Sequence, residues 1–309
     1  MKKYIILTAI FFMSYMSSSI ANQINIIDNA NNLFKVDKKF HLPISSGNWT
    51  QVRNNTWQGW GLSQKVYGIG KVNNNEIEEI VEVYVGNLAG KWDHWINRWI
   101  NDEIFKNKYD GCYERPEYYL VEFYRKGITY NCLVIRHIDI FKLLQNPDSP
   151  HGKAASASYN YWLKNNPDVI VPATMLYSYH GYFSRPVSGK WYEIRHLINP
   201  KIIGAPKNNS NSEEGSEYHR NNISNFPKHK KSMEDWISIS SKQHKIFEEL
   251  VGSKSYHKLH LSKYITSYKI NDDKDNNDLV KELQNLNNLF ETGALSKEEF
   301  EKAKKKILD

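Results

Sequence analysis

Apolar and polar positions alternate along three pairs of segments, and each pair is separated by a short turn-forming stretch. Alternation with a period of two is typical of β-strands, and asparagine or glycine between two such runs favours a tight turn. The first pair flanks three consecutive asparagines, which tolerate the left-handed backbone of such turns. The pattern therefore predicts three β-hairpins, formed by residues 63–72 with 76–85, 118–125 with 128–137, and 174–185 with 191–198.

A different spacing, with apolar residues three and four positions apart, predicts helices over residues 91–105, 153–164 and 232–251. In the first of these, Trp92, Trp95 and Trp99 lie on one helical face, which is typical of packing against a core. A short strand is predicted at 49–52. Hairpins require an antiparallel sheet, and helices must cover at least one of its faces. The predicted fold class is therefore α+β, and an α/β/α sandwich is one form of it.

The only two cysteines, Cys112 and Cys132, are both near the second hairpin. With a two-residue loop at Lys126-Gly127, Val121 would pair with Cys132, and Cys132 would lie on the apolar face. The turn-rich segment around Cys112 could fold back over that face. In an oxidising compartment an even cysteine count favours a disulfide. Two free buried thiols are the alternative, and no motif marks either residue as a nucleophile.

The N-terminus has the three parts of a secretory signal peptide. Lys2 and Lys3 precede an apolar run over residues 4–13, and small residues at Ser19 and Ala21 favour cleavage after Ala21. The alternative is a membrane anchor, but the run is about half of the roughly 20 apolar residues that a spanning helix needs. We therefore expect a periplasmic or secreted protein, with residues 1–21 removed and no transmembrane segment left.

Charge and motifs narrow the function classes. The chain carries a net charge of +7, of which Lys2 and Lys3 supply two. This small excess and the predicted export argue against nucleic acid as a partner. The sequence contains neither a G-x-S-x-G elbow nor an H-E-x-x-H zinc motif. We accordingly predict no catalytic residues, no metal site and no cofactor. Glu76, Glu78 and Glu82 would share one side of a strand, which a solvent-facing strand explains.

Two segments rich in aromatic residues and glycine are candidates for ligand contact. Residues 57–61 carry Trp57 and Trp60, and residues 180–186 combine aromatic side chains with His180 and Arg185. Ligand sites are mostly apolar with a few placed polar groups, so these four residues are the predicted ligand-binding set. Packing of the two segments against the sheet is the alternative interpretation.

The C-terminus has the clearest helical pattern. After a polar linker at 265–277, leucines at helical spacing lead to Gly293, a residue suited to ending a helix. Ser296 and Glu299 form a capping box that would begin a second helix. The pattern predicts a helical hairpin over 278–309. Its apolar side chains, the predicted interaction module, are Leu279, Leu283, Leu286, Phe290, Phe300 and Ile307.

This hairpin resembles the bacterial short C-terminal domain family, SHOCT. The resemblance rests on the leucine-rich helix, the run from Gly293 through Ser296 to Phe300, and the following helix with Lys304 and Leu308. It covers about a tenth of the chain. The resemblance implies a helical accessory module, suited to self-association, without catalytic residues. Independently, an isolated unit below about 40 residues rarely buries enough surface to be stable. The hairpin should therefore contact a second copy, another protein or its own body, unless it is partly disordered.

The predicted organisation is a signal peptide (1–21), an α+β body (22–264), the linker (265–277) and the helical hairpin (278–309). The leading interpretation is a non-enzymatic binding or scaffold protein whose tail mediates self-association or contact with a protein partner. One alternative is an envelope hydrolase with residues assembled from distant loops. Another is a carbohydrate-binding module that uses Trp57 and Trp60.

Overall fold

The computed structural model describes residues 26–308 with the exception of several segments. These are 37–39, 60–61, 88–111, 127–128, 141–143, 145–149, 185–189, 207, 209, 211, 253–285, 287–289 and 291–295. The predicted signal peptide, the helix at 91–105, the linker at 265–277, and Trp60, Arg185, Leu279 and Leu283 lie outside the described residues.

Ten strands and three α-helices have bounds within the described residues. The strands are β1 (Ile27–Asp28), β2 (Leu33–Lys35), β3 (His41–Pro43), β4 (Trp49–Gly59), β5 (Leu62–Asn73), β6 (Glu76–Asn87), β7 (Leu120–Lys126), β8 (Thr129–Asp139), β9 (Thr174–Ser184) and β10 (Lys190–Ile198). The α-helices are α1 (Pro150–Lys164), α2 (Pro227–Gly252) and α3 (Lys297–Leu308), and short 3₁₀ helices span Pro200–Ile203 and Ile223–Asn225.

The main sheet has seven antiparallel strands in the order β4-β5-β6-β10-β9-β8-β7. Two meanders, β4 to β6 and β7 to β10, therefore join along β6 and β10. All three predicted hairpins are present. At the first turn Asn74 and Asn75 have φ values of 48° and 62°, the left-handed conformation that a two-residue hairpin turn requires. The predicted α+β class is confirmed.

Helices cover both faces of this sheet. On one face, called the α1 face, Ala155, Tyr159 and Trp162 of α1 pack in a core with side chains of β8, β9 and β10. On the opposite α2 face, Trp236 and Phe247 of α2 pack against the alternate side chains of the same strands. The small sheet β1-β2-β3 packs beside α2 on this face. Its strands are two or three residues long, too short for an alternation pattern to reveal.

The strand register in the cysteine hairpin differs from the prediction. Val121 pairs with Val134, and Phe123 pairs with Cys132, so the predicted register is wrong by two residues. An even shift leaves every side chain on its predicted face, whereas a shift of one would reverse the faces. Cys132 is buried in the α1-face core as predicted.

Helix α2 begins at Pro227, five residues before the predicted start, since proline is favoured in a first helical turn.

Cys112 and Cys132 form the predicted disulfide, with 20 residues of sequence separation. We expect the double variant Cys112→Ser with Cys132→Ser to lose about 3 kcal/mol of unfolding free energy, because the crosslink restricts the unfolded chain. Urea titration with and without a thiol reductant measures the loss. The reductant should destabilise the wild type and leave the double variant unchanged. Equal stability of the oxidised wild type and the variant would contradict the prediction.

Candidate functional site

A charged cluster lies in the interior of the α1 face, where sequence patterns favour apolar side chains. It consists of Arg53 on β4, Glu82 and Tyr84 on β6, and Glu193 and Arg195 on β10. Strand register brings these residues together, since Glu82 pairs with Arg195 and Tyr84 pairs with Glu193. Gly68 of β5 lies between Arg53 and Glu82. A Cβ atom there would be 2.9 Å from the Cβ of Arg53, so glycine leaves room for the arginine.

The members of the charged cluster bond one another. The Arg53 guanidinium lies 3.1 Å from a Glu82 carboxylate oxygen and donates to the Tyr84 hydroxyl at 2.8 Å. Arg195 donates to the same hydroxyl at 3.0 Å, and its guanidinium lies 4.2 Å from the Tyr84 ring centre. A second Arg195 nitrogen is 3.5 Å from Glu193. Two arginines therefore face two glutamates in a charge-balanced set.

Burial decides the protonation states in the charged cluster. Burial alone would lower the pKa of Arg53, but the negative charge of Glu82 outweighs it and raises that pKa. Burial raises the pKa of the Tyr84 hydroxyl, and it raises the pKa of Tyr159, which reaches the cluster from α1. Both tyrosines are therefore neutral hydrogen-bond donors beside charged arginines. Such a set holds strands in register and stabilises charge.

A second polar group, the histidine series, lies between the α2 face and α2. It comprises Ser178, His180 and Tyr182 on β9, Asn131 on β8, and His244 on α2. His180 is 2.9 Å from the Ser178 hydroxyl through Nε2 and 3.1 Å from His244 through Nδ1. The other nitrogen of His244 hydrogen bonds to Asn131. Burial lowers the pKa of His244 to about 4, and burial also lowers the pKa of His180 well below its usual range.

Next to this series, His196 of β10 hydrogen bonds to Glu79 of β6 at 3.0 Å. Glu79 also accepts from Lys71 at 3.2 Å and from the Ser45 hydroxyl. Burial alone would raise the pKa of Glu79, but the His196 hydrogen bond and the nearby positive charge outweigh it and lower that pKa. Glu79 is therefore a buried carboxylate held by His196, Ser45 and Lys71, and Lys71 also pairs with Glu78.

A small apolar pocket lies beneath α1. Its free volume of about 20 Å³ holds little more than one water-sized molecule, and it exposes apolar atoms alone. This volume is far below the range for small-molecule sites. Its lining residues are Ile77, Ile80, Ile140, Leu144, Tyr159, Trp162, Leu163, Val171 and Leu197. The pocket is therefore a small gap in the packing, without polar groups that would orient a reaction.

Of the four residues of the predicted ligand-binding set, His180 is the one whose side chain the structure describes. His180 lies in the interior, in the histidine series, so a ligand would reach it only if α2 moved. Trp57 lies near the end of β4, and its side chain is outside the described residues, as are Trp60 and Arg185. The role of these residues in ligand contact stays a prediction.

The buried polar groups were missed because their residues are far apart in the sequence. The prediction of a solvent-facing strand at Glu76, Glu78 and Glu82 is wrong for Glu82, which is buried on the α1 face. Glu79 is buried on the opposite face. One signal of this burial was present in the sequence of β6, where valines and isoleucines occur on both faces of the strand. Strands covered on both faces bury residues of both parities.

In the C-terminal hairpin the described contacts confirm the capping box. The backbone N–H of Ser296 donates to the Glu299 carboxylate at 2.9 Å, and the Glu299 N–H donates to the Ser296 hydroxyl at 3.4 Å. These bonds lower the pKa of Glu299. Phe290 packs on Phe300 with ring centres 4.7 Å apart. Leu286 is buried, whereas 36% of Phe290 is exposed. Ile307 lies in α3, and its side chain is outside the described residues.

Two features are absent from the ranges that the structure describes. There, no group of three or more His, Cys, Asp or Glu side chains is arranged to hold a metal ion. No helix in this part of the chain combines the length and apolar character that crossing a bilayer requires.

Comparison with known proteins adds no relative. No protein-family model, no curated protein and no solved structure matches the chain significantly.

Proposed function

We propose that this chain is an exported, non-enzymatic binding or scaffold protein whose C-terminal hairpin is an interaction module. The observation that carries the proposal is the aromatic contact in the hairpin. Phe290 packs on Phe300, yet more than a third of Phe290 is exposed. Two short helices bury too little apolar surface to be stable alone, so this exposed aromatic surface suits contact with a partner.

Export is supported by the signal-peptide pattern of residues 1–21 together with the disulfide between Cys112 and Cys132. Disulfides persist in oxidising compartments and are rare in the cytosol. The periplasm or the medium is therefore the proposed location.

A binding or scaffold role for the body is supported by how its polar groups are used. Arg53, Glu82 and Arg195 bond one another in the interior, and His180 and His244 do the same on the opposite face. The alternative of an envelope hydrolase gains no support from these groups, because a hydrolytic site must present its acid, base or nucleophile to a substrate.

Self-association through the C-terminal hairpin can be tested with a single substitution. We expect the mature full-length protein to self-associate, and we expect Phe290→Asp to return it to the monomer mass. A carboxylate at this position would face the apolar partner surface and lose its hydration. Light scattering after size exclusion measures the mass of each protein.

The matched control is Glu301→Ala, which changes an exposed residue of α3 and should leave the mass unchanged. If the wild type is already a monomer, self-association is wrong. An unchanged resistance of the tail to proteolysis in Phe290→Asp would further indicate that Phe290 contacts neither a partner nor the body.

A further inference from the structure

Hydrogen bonds through both imidazoles link Ser178 to Asn131 in the histidine series. The Asn131 side-chain oxygen accepts, so Nε2 of His244 carries a hydrogen and its Nδ1 is free to accept in the neutral ring. The possible donors to this Nδ1 are His180 Nδ1 at 3.1 Å and the Tyr182 hydroxyl at 2.7 Å. His180 Nε2 is 2.9 Å from the Ser178 hydroxyl. Burial keeps both imidazoles neutral.

Tyr182 closes this arrangement from the side. Its hydroxyl donates to the backbone carbonyl oxygen of His244 at 2.6 Å and lies 2.7 Å from the His244 Nδ1. The His180 ring packs edge-on against Phe247, with ring centres 4.9 Å apart. The series therefore joins β8 and β9 to the part of α2 that carries His244 and Phe247.

A proton added to His180 or His244 would have no carboxylate partner within the series, because the series contains no carboxylate. Among the described residues beside it, His196 of β10 hydrogen bonds to Glu79 of β6. Glu79 also pairs with Lys71 of β5, which pairs with Glu78 as well. On α2 the ionisable neighbours of His244 are exposed on the outer side, namely Lys242, Lys245, Glu248 and Glu249.

We propose that the histidine series is an acid-sensitive latch that releases the part of α2 around His244 from the sheet when the medium becomes mildly acidic. Release separates His244 from Asn131 and lets water solvate His180 and His244, so that both rings accept protons. It also uncovers Phe247 and Leu250, which are buried against the α2 face. The latch thus couples external pH to exposure of an apolar surface.

The direction of the pH effect follows from the difference in proton binding. Burial lowers the pKa of His244 to about 4 in the closed state, whereas a solvated histidine has a pKa of about 6.5. Between these values the open state binds more protons, so acid favours opening. The stability of the closed state is complete above about pH 6.5 and falls as the pH decreases toward 4. For His244 alone, the opening equilibrium rises about 20-fold from pH 7 to pH 5.

Amide hydrogen exchange on the full-length protein tests the latch, with rates corrected for the intrinsic pH dependence of exchange. Peptides covering 238–252 should show at least about a 20-fold rise in opening from pH 7 to pH 5, while peptides of β8 keep their protection. His244→Gln should make that rise about 20-fold smaller, because glutamine does not titrate. His137→Gln should leave the rise unchanged. His137 is a second buried histidine, hydrogen bonded to the carbonyl of Glu213 away from the latch.

Three outcomes would overturn the proposal. The first is a rise that β8 shares equally, which would mean that acid unfolds the whole body. The second is the same rise in His244→Gln as in the wild type. The third comes from NMR titration of the wild-type histidines, which needs no variant. Titration of His180 and His244 near pH 6.5 in the folded protein, as exposed histidines titrate, would show that burial does not lower their pKa values.

Discussion

Glu82→Gln is expected to lower the free energy of unfolding by about 3–5 kcal/mol, the range for breaking a buried ion pair by removing one partner. Glu82 contacts the Arg53 guanidinium at 3.1 Å and lies 3.9 Å from that of Arg195. The side chains of Arg53 and Glu82 are at most 6% exposed, so solvent screens this pair weakly. Glutamine keeps the size and removes the charge. This leaves the buried guanidinium of Arg53 and the half-buried guanidinium of Arg195 opposite Glu193 alone.

Urea unfolding at pH 7 measures this effect, and Glu122→Gln on the exposed side of β7 is the matched control. The control should stay within about 0.5 kcal/mol of the wild type, as is usual for surface substitutions. Adding Arg53→Met to Glu82→Gln should cost less than the sum of the single losses, because the arginine that lost its partner is then absent. Additive losses, or a Glu82→Gln loss below about 1 kcal/mol, would show that the pair contributes little.

Gly86→Ala is expected to cost about 3 kcal/mol or more, the upper end of the range for overpacking a core. A Cβ atom at this position would lie 1.9 Å from Cε2 and Cζ2 of the Trp191 ring. Trp191 is directly opposite Gly86 on β10 and is buried. The indole covers the glycine, so the ring must move into neighbours that are themselves packed.

The control for this substitution is Gly70→Ala, whose Cβ would meet a Val52 methyl at 3.1 Å, a contact that a small shift relieves. We expect it to cost less than about 1 kcal/mol. Trp191→Leu should lower the free energy of unfolding less in the Gly86→Ala variant than in the wild type, because the smaller side chain removes the clash. Thermal unfolding of the wild type, the three single variants and the double variant measures these differences. Wild-type stability in Gly86→Ala would contradict the inferred packing.

The hairpins could be predicted because each depends on residues close in sequence. Asn74 and Asn75 favour the turn through their own backbone preferences, and alternation assigns each side chain to a face. The register of the cysteine hairpin was not predictable to the residue. Pairing Phe123 with Cys132 or with Tyr130 preserves the same faces, so the apolar pattern does not distinguish the two.

The polar interior could not be predicted, because it depends on which strands become neighbours. Tyr84 and Arg195 are 111 residues apart, and they meet because β6 pairs with β10 rather than with β7. The same pairing places His196 beside Glu79. In a strand with one solvated face, Glu82 would be an ordinary surface residue. Helix α1 and its surroundings make that face a second core.

The sequence by itself determined the hairpins, the helices α1 and α2, the α+β class, the disulfide partners and the capping box at Ser296. Each of these follows from local backbone preference, from periodicity, or from there being one pair of cysteines. Only the tertiary structure decided the strand order, the burial of the charged cluster, and the contact of His180 with His244. Burial and pairing at long range depend on the whole chain, since a residue's surroundings are set by elements distant in sequence.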